Sequence, residues 1–287
     1  MPEVLAVDIG GTKMAAALVD DDGRLRSRQQ VPTIDTDDAE VLFGSLTTAI
    51  DEALADGSDA TVCGVGCGGP MTRGGEAVSP LNIDAWRGFP LRSRLADHLG
   101  FDVVVDNDAK ALAMGEGWQG AAQGVDDYLA MVVSTGVGGG IVIDGKALHG
   151  ADGNAGHIGH LIVEPGGRSC ACGSRGCLEA EASGTAIQAI TGRPAAEAGP
   201  AMRHRVGTLV GRAVAQIMVL LDLRLALVGG SVGLGYGDVL LHSAQAEIDR
   251  LARIEYCAGV RIQPVGLGPD GPLIGAASLA RQAGGDQ

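Results

Sequence analysis

Apolar residues open the chain as an unbroken run, Val4 to Ile9, which stops at Gly10-Gly11-Thr12. A second run, Met14 to Val19, follows at once, then Asp20-Asp21-Asp22-Gly23 and a third stretch, Leu25 to Val31. Short apolar runs bounded by glycine and acidic turns predict three strands joined as hairpins. Leu42, Leu46, Ile50 and Leu54 then recur every four residues, the stripe of an amphipathic helix, with Thr36 or Asp37 available to cap it. Strands are expected at Thr61 to Gly66 and Phe101 to Val105, with a short helix over Leu91 to Leu99 and another after Asp106-Asn107-Asp108.

The pattern then restarts. Tyr128 to Val133 reads as a strand, Ser134 to Gly140 as a glycine-rich turn and Ile141 to Ile143 as the returning strand. Leu5-Ala6-Val7-Asp8-Ile9-Gly10-Gly11 and Leu129-Ala130-Met131-Val132-Val133-Ser134-Thr135-Gly136 follow one plan. Such self-similarity predicts two related α/β domains, at 1–112 (with 272–287 packing back on it) and 113–271. Later come a helical stripe from Val206 to Leu221, a strand Leu225 to Val228 that runs into Gly229-Gly230-Ser231, and helices over Asp238 to Ile254 and Leu273 to Arg281, with a strand Val260 to Val265 between them.

Composition narrows the function. Apolar residues make up 46% of the 287, enough for packed cores, while aromatics are only 3%, so Val, Leu, Ile and Ala must fill them. The net charge of -14 argues against nucleic acid as the main partner, because phosphate backbones select basic faces. Met1-Pro2-Glu3-Val4-Leu5 does not read as a secretory signal, and no apolar run suffices for a bilayer. A cytoplasmic protein without a membrane partner is expected, and its six cysteines favour metal over disulfides.

Three glycine clusters follow expected strands: Gly10-Gly11-Thr12-Lys13, Gly136-Val137-Gly138-Gly139-Gly140 and Gly229-Gly230. Glycine lets backbone N–H groups approach an anion, so the clusters are candidate phosphate cradles, with hydroxyls from Thr12 and Thr135. Asp8, at the strand end before the first turn, can hold Mg²⁺ beside the phosphates. The turns return into strands, which argues against a dinucleotide-binding Gly-x-Gly-x-x-Gly unit. Asp108, where a valine-rich strand meets a helix, is a candidate base for a sugar hydroxyl attacking phosphorus. It is also a candidate helix cap, and Asp106 and Asn107 could fill that role as well. Cys170, Cys172 and Cys177 are spaced to meet one ion, with His157 or His160 as the fourth ligand of a closed, structural Zn²⁺ site. Cys63, Cys67 and Cys257 lie in or beside apolar strands and read as buried residues.

These residues together resemble the ROK family of kinases and repressors, on the side of its bacterial glucokinases. Asp8-Ile9-Gly10-Gly11-Thr12-Lys13 is similar to the family's first phosphate motif, and Ser134-Thr135-Gly136-Val137-Gly138-Gly139-Gly140 to its second. Leu227-Val228-Gly229-Gly230-Ser231 is similar to its adenosine-side motif. Asn107-Asp108 matches the pair whose Asp is the catalytic base, and Gly159-His160 with the three cysteines matches its zinc signature, which makes His160 the ligand. Glu179 and Asn82, the latter four residues before Trp86, match sugar-binding positions.

The resemblance implies a two-domain actin-like ATPase (ribonuclease H-like) fold with ATP and sugar meeting in the interdomain cleft. It also implies a homodimer or homotetramer and transfer of the γ-phosphate of ATP to the 6-hydroxyl of glucose or a related hexose. An amino-sugar kinase is the alternative. A repressor would carry a DNA-binding domain ahead of Asp8, and a non-catalytic sugar binder would not need Asp108. Two positions depart from the pattern: His157 stands where these kinases usually carry a sugar-binding Glu, and Gly68 where Pro is common. Both bear on the identity of the sugar, and His157 is expected to contact it near C1 or C2.

Overall fold

The computed structural model describes residues 3–55 and 57–285. It divides into two compact units. Unit 1 comprises Met1–Gln123, Ala147–Ala155 and Gly266–Gln287, and unit 2 comprises Gly124–Lys146 and Gly156–Val265. The expected division at 112 falls inside a helix that stays wholly in unit 1.

In unit 1, strands β1 (Val4–Ile9), β2 (Lys13–Val19), β3 (Leu25–Pro32), β4 (Val62–Cys67) and β5 (Asp102–Asn107) form one sheet in the order β3-β2-β1-β4-β5. The β1–β2 and β2–β3 pairs are antiparallel; β1–β4 and β4–β5 are parallel. Both faces of β1 are covered, which is why it reads as a continuous apolar run rather than an alternating one. Leu5, Val7 and Ile9 pack with Leu42, Leu46 and Ile50 of α1 (Ala39–Leu54) and Leu91 and Leu95 of α2 (Leu91–Leu99). Val4 and Ala6 pack on the other side with Leu273, Ala276, Ala277 and Ala280 of the closing helix, Gly271–Gly285. That helix lies directly on the sheet: a Cβ on Gly64 would sit 1.8 Å from the Ala276 carbonyl oxygen. Helix α3 (Asp108–Gln119) continues from β5 and packs against the closing helix. The cap of α1 is Asp38, whose carboxylate accepts from the Glu40 N–H at 2.9 Å, while Thr36 Oγ1 accepts from the Asp38 N–H at 3.1 Å. The cap thus lies one residue beyond the expected Asp37.

Unit 2 repeats the plan. Strands β6 (Tyr128–Val133), β7 (Val137–Ile143), β8 (Lys146–Ala147), β9 (Leu225–Gly229) and β10 (Arg261–Pro264) are ordered β10-β9-β6-β7-β8. The β6–β7 hairpin is antiparallel, and β9 and β10 add in parallel, the arrangement of β1–β2, β4 and β5. The shared topology agrees with the duplication expected from the two hairpins. Helices α4 (Leu178–Ala182) and α5 (Gly184–Thr191) precede the long pair α6 (Pro200–Leu221) and α7 (Gly230–Leu251). On α6, Val206, Leu209, Val210, Ala213, Val214 and Ile217 are buried, while Leu221 lies at the margin. The α6 and α7 backbones approach closely because Gly207 and Gly211 leave room: a Cβ would lie 2.5 Å from the Leu240 carbonyl and 2.4 Å from that of Ala244. Helix α7 starts at Gly230 rather than at the expected Asp238, with a break in helical geometry at Gly237. The closing helix of unit 1 is α8.

Candidate active site

In unit 1 the C-terminal ends of β1, β4 and β5 stand side by side. Asp8 pairs with Gly66 and Gly66 with Asp106; one residue on, Ile9 pairs with Cys67 and Cys67 with Asn107. Ligands of open α/β sheets bind beyond such carboxyl ends. Gly66 keeps the middle strand thin, since a Cβ there would already touch the Cα of Asp108 at 3.5 Å. Asn107 caps α3, its Oδ1 accepting from the Ala109 N–H at 3.0 Å, and Asp108 Oδ1 accepts from the same N–H at 2.8 Å. The cap role left open among three residues thus falls mainly to Asn107.

The two carboxylates are electrostatically linked. Burial, and then the charge of Asp108, push the Asp8 carboxyl up to about 7, with Lys13 and Arg28 pulling the other way. Desolvation by the surrounding protein also raises Asp108, offset in part by backbone N–H groups, although the residue keeps an exposed face to solvent. A raised carboxyl next to another is the signature of a site prepared for a proton or a cation. Cys67, between them, is held high by burial and by both acids.

The first glycine turn is closed by the Gly10 N–H donating to the Lys13 carbonyl at 3.0 Å, and Thr33 ties it to β3 by donating to the Gly10 carbonyl at 2.7 Å. Gly11 packs on Asn82, where a Cβ would lie 2.6 Å from the Asn82 Cβ. The candidate phosphate turn and a candidate sugar ligand are therefore in contact, and Thr12 and Lys13 are exposed beside them. Gly68 follows β4, and a side chain there would meet only the Pro80 Cβ at 3.6 Å.

In unit 2 the matching turn follows β6. The Ser134 N–H donates to the Gly136 carbonyl at 2.9 Å, and the Thr135 carbonyl accepts from the Thr185 hydroxyl at 3.0 Å. Ser134 and Ser231 hydroxyls lie 2.9 Å apart, which joins this turn to the first turn of α7. Gly230 has φ +88°, and a Cβ there would lie 2.4 Å from the Val133 carbonyl, so only glycine fits. Gly138 pairs with Val132 in the hairpin. Glu179 Oε2 accepts from the Val137 N–H at 2.9 Å, next to Gly136. His157 is exposed, its ring stacked 6.2 Å from that of His160.

His160, Cys170, Cys172 and Cys177 present four ligand atoms within 4.8 Å of one another. The Cys172 and Cys177 sulfurs are 3.7 Å apart, and Cys170 Sγ is 3.6 Å from His160 Nδ1. A tetrahedral ion with Zn–S of about 2.3 Å and Zn–N of about 2.0 Å sets those edges at about 3.8 and 3.5 Å, so the donors fit Zn²⁺. Cys177 immediately precedes α4, which carries Glu179. Cys63, Cys67 and Cys257 are buried, free thiols. The polar groups around the site that sequence reasoning missed are Lys110, His149, Asn154 and Thr185. Each has at least one partner tens of residues away, beyond the reach of any local pattern.

The sequence model of the ROK family matches residues 4–283. An N-acetylmannosamine kinase of Citrobacter koseri is 36% identical over 294 residues, covering 96% of this chain and 98% of that protein. A glucokinase of Thermotoga maritima is 31% identical over 312 residues, covering 98% of each. Among solved structures, the chain is similar to a ROK family glucokinase from Streptomyces griseus in complex with glucose and AMPPNP, with TM-score 0.84, 33% identity and coverage of 98% of this chain and 99% of that one.

Proposed function

The chain belongs to the ROK family, has its actin-like ATPase fold and is a sugar kinase, and we propose that it transfers the γ-phosphate of ATP to the 6-hydroxyl of a hexose, N-acetylmannosamine first and glucose second. The observation that carries the reaction is the placement of Asp8 at the end of β1 and of Asp108 just past the end of β5, on either side of β4, beside a glycine turn that touches Asn82.

Asp108 orients the attacking hydroxyl and takes its proton. The transition state of phosphoryl transfer is loose, so the proton leaves late, and a carboxyl raised above its ordinary value suits the task. Backbone N–H groups of Gly11, Thr12 and Lys13, in the turn that the Gly10 N–H closes, and of Thr135, Gly136 and Gly138, cradle the phosphates. Gly230 gives the adenosine side a close approach. Asp8 would hold Mg²⁺, which neutralises phosphate charge when bound. Asn82, Asn107 and the Gly68 loop in unit 1, and His157, His160 and Glu179 in unit 2, are the residues assigned to sugar binding. His160, Cys170, Cys172 and Cys177 would hold a structural Zn²⁺ that fixes α4 and so aims Glu179. A homo-oligomer in the cytoplasm completes the proposal; among the described residues no helix is long and apolar enough to cross a membrane.

N-acetylmannosamine comes first because of His157. A carboxylate at this position only accepts, whereas a neutral imidazole donates one hydrogen bond and accepts another. It can therefore donate to the carbonyl of an N-acetyl group at C2. It offers no negative charge to an unacylated ammonium, so glucosamine is disfavoured. Glucose remains the second reading because of the likeness to two glucokinases. A sugar panel in a coupled ADP-release assay, with wild type and His157→Glu, tests the choice: the variant should shift preference from N-acetylmannosamine toward glucose. An unchanged ranking removes His157 from sugar selection.

A further inference from the structure

Asp106 and Lys110 bracket Asp108, two residues to either side. The Lys110 side chain is only 1% exposed. A buried ammonium is tolerated only where it is paired and hydrogen-bonded. Here it donates to Asp106 Oδ1 at 3.3 Å and to the Gly153 carbonyl. Asp106, also buried, accepts from the Asn107 N–H at 2.7 Å, and its Oδ2 lies 3.3 Å from His149 Nδ1. Gly153 and His149 both belong to Ala147–Ala155, a segment that counts with unit 1.

That segment has almost no regular secondary structure, yet it is held at several points. The Ala155 N–H donates to the His149 carbonyl at 2.9 Å and closes the loop. The Asn154 amide donates to the Met71 carbonyl at 3.3 Å, and its oxygen accepts from the Met71 N–H at 3.5 Å. The next two residues are Gly156 and His157. Gly156 has φ +99°, and a Cβ there would lie 2.3 Å from the Gly139 carbonyl. The chain thus enters His157 from an anchored loop through a tightly packed glycine.

We propose that Lys110 is a positioning residue for sugar recognition, which latches Ala147–Ala155 beside the Asn107–Asp108 pair and thereby fixes the entry to His157. The latch grips a backbone carbonyl, so it acts on the path of the chain whatever side chain occupies 153. Its role in sugar recognition rests on the sugar-kinase reading; the latch itself does not.

Two arms separate these. Hydrogen exchange on the ligand-free protein should show amides of 147–155 exchanging at least about 10-fold faster in Lys110→Met, with β1 and α6 unchanged. Asn154→Ala, which leaves the buried ion pair intact, should act in the same direction more weakly, and it carries the test if Lys110→Met does not fold. In steady-state assays the sugar KM should rise on the order of 10-fold in Lys110→Met, while the ATP KM stays within about twofold. Unchanged exchange across 147–155 overturns the latch. Faster exchange with KM values for sugar and ATP that stay put, or shift together, overturns its role in sugar recognition. If the wild-type protein phosphorylates no sugar, the kinase reading and the role in sugar recognition fall together, and the exchange arm still decides the latch.

Discussion

Glu179 accepts the Val137 amide hydrogen on Oε2 at 2.9 Å. This one bond joins the helix that follows the His160–Cys177 cluster to the turn that opens β7. The metal loop and the second glycine turn are thus parts of one construction within unit 2. It also orients the carboxylate.

Glu179→Gln keeps an acceptor for Val137 and loses the charge. The sugar KM should rise on the order of 10-fold, with the ATP KM little changed. Glu179→Ala removes the acceptor as well and leaves a part-buried N–H unpaired, at a cost of about 1–3 kcal/mol in denaturant unfolding. Equal effects on both KM values in Glu179→Gln would place the carboxylate outside the sugar subsite.

The cysteine cluster predicts one Zn²⁺ per chain in purified protein, by elemental analysis. Chelation should lower Tm, because the ion holds the loop folded. Cys172→Ser should lose metal and sugar affinity together, since the loop leads into α4. Active protein free of zinc would reject the site.

Asp8 predicts a pH dependence. Its carboxyl sits near 7 in the folded protein against an ordinary 3.8. Between those values the folded state keeps a proton that the unfolded chain has released, so stability falls as pH rises through that window and levels off above about 7. Asn resembles the protonated acid and does not titrate. The urea midpoint of Asp8→Asn should therefore gain on that of wild type between pH 5 and 7, measured without nucleotide or divalent cation. Parallel pH profiles would show that Asp8 is not held neutral.

Much of this was legible in the sequence. The hairpins at Gly10 and Gly136 announce themselves because apolar runs covered on both faces stop abruptly at glycine, and the two sheets repeat one strand order. Of the candidate metal ligands, Cys170, Cys172 and Cys177 are legible from close spacing, whereas spacing leaves His157 and His160 open and the family resemblance chooses His160, the histidine that meets the cysteines. The start of α7 was hidden by Gly233, Gly235 and Gly237, which read as loop; Gly233 is small because a Cβ would lie 2.8 Å from Val228 Cγ1. The first turns of α6 were hidden by Arg203, His204 and Arg205, which interrupt the apolar stripe. Buried charges were the least visible. Glu116 is fully buried and accepts from the N–H groups of Ala121, Gly266 and Leu267, and Glu181 pairs with Arg205. On a helix such residues look like surface, since most of their partners come from remote segments.

The central claim is that Asp108 serves as the base of a sugar kinase, and ADP release by wild type and Asp108→Asn, with N-acetylmannosamine and with glucose, tests it most directly. Wild type should release ADP only when sugar is present. The variant should lose a factor on the order of 10² to 10⁴ in kcat, with sugar KM nearly unchanged. Near-wild-type turnover in Asp108→Asn, or wild-type ADP release that no sugar stimulates, would contradict the account.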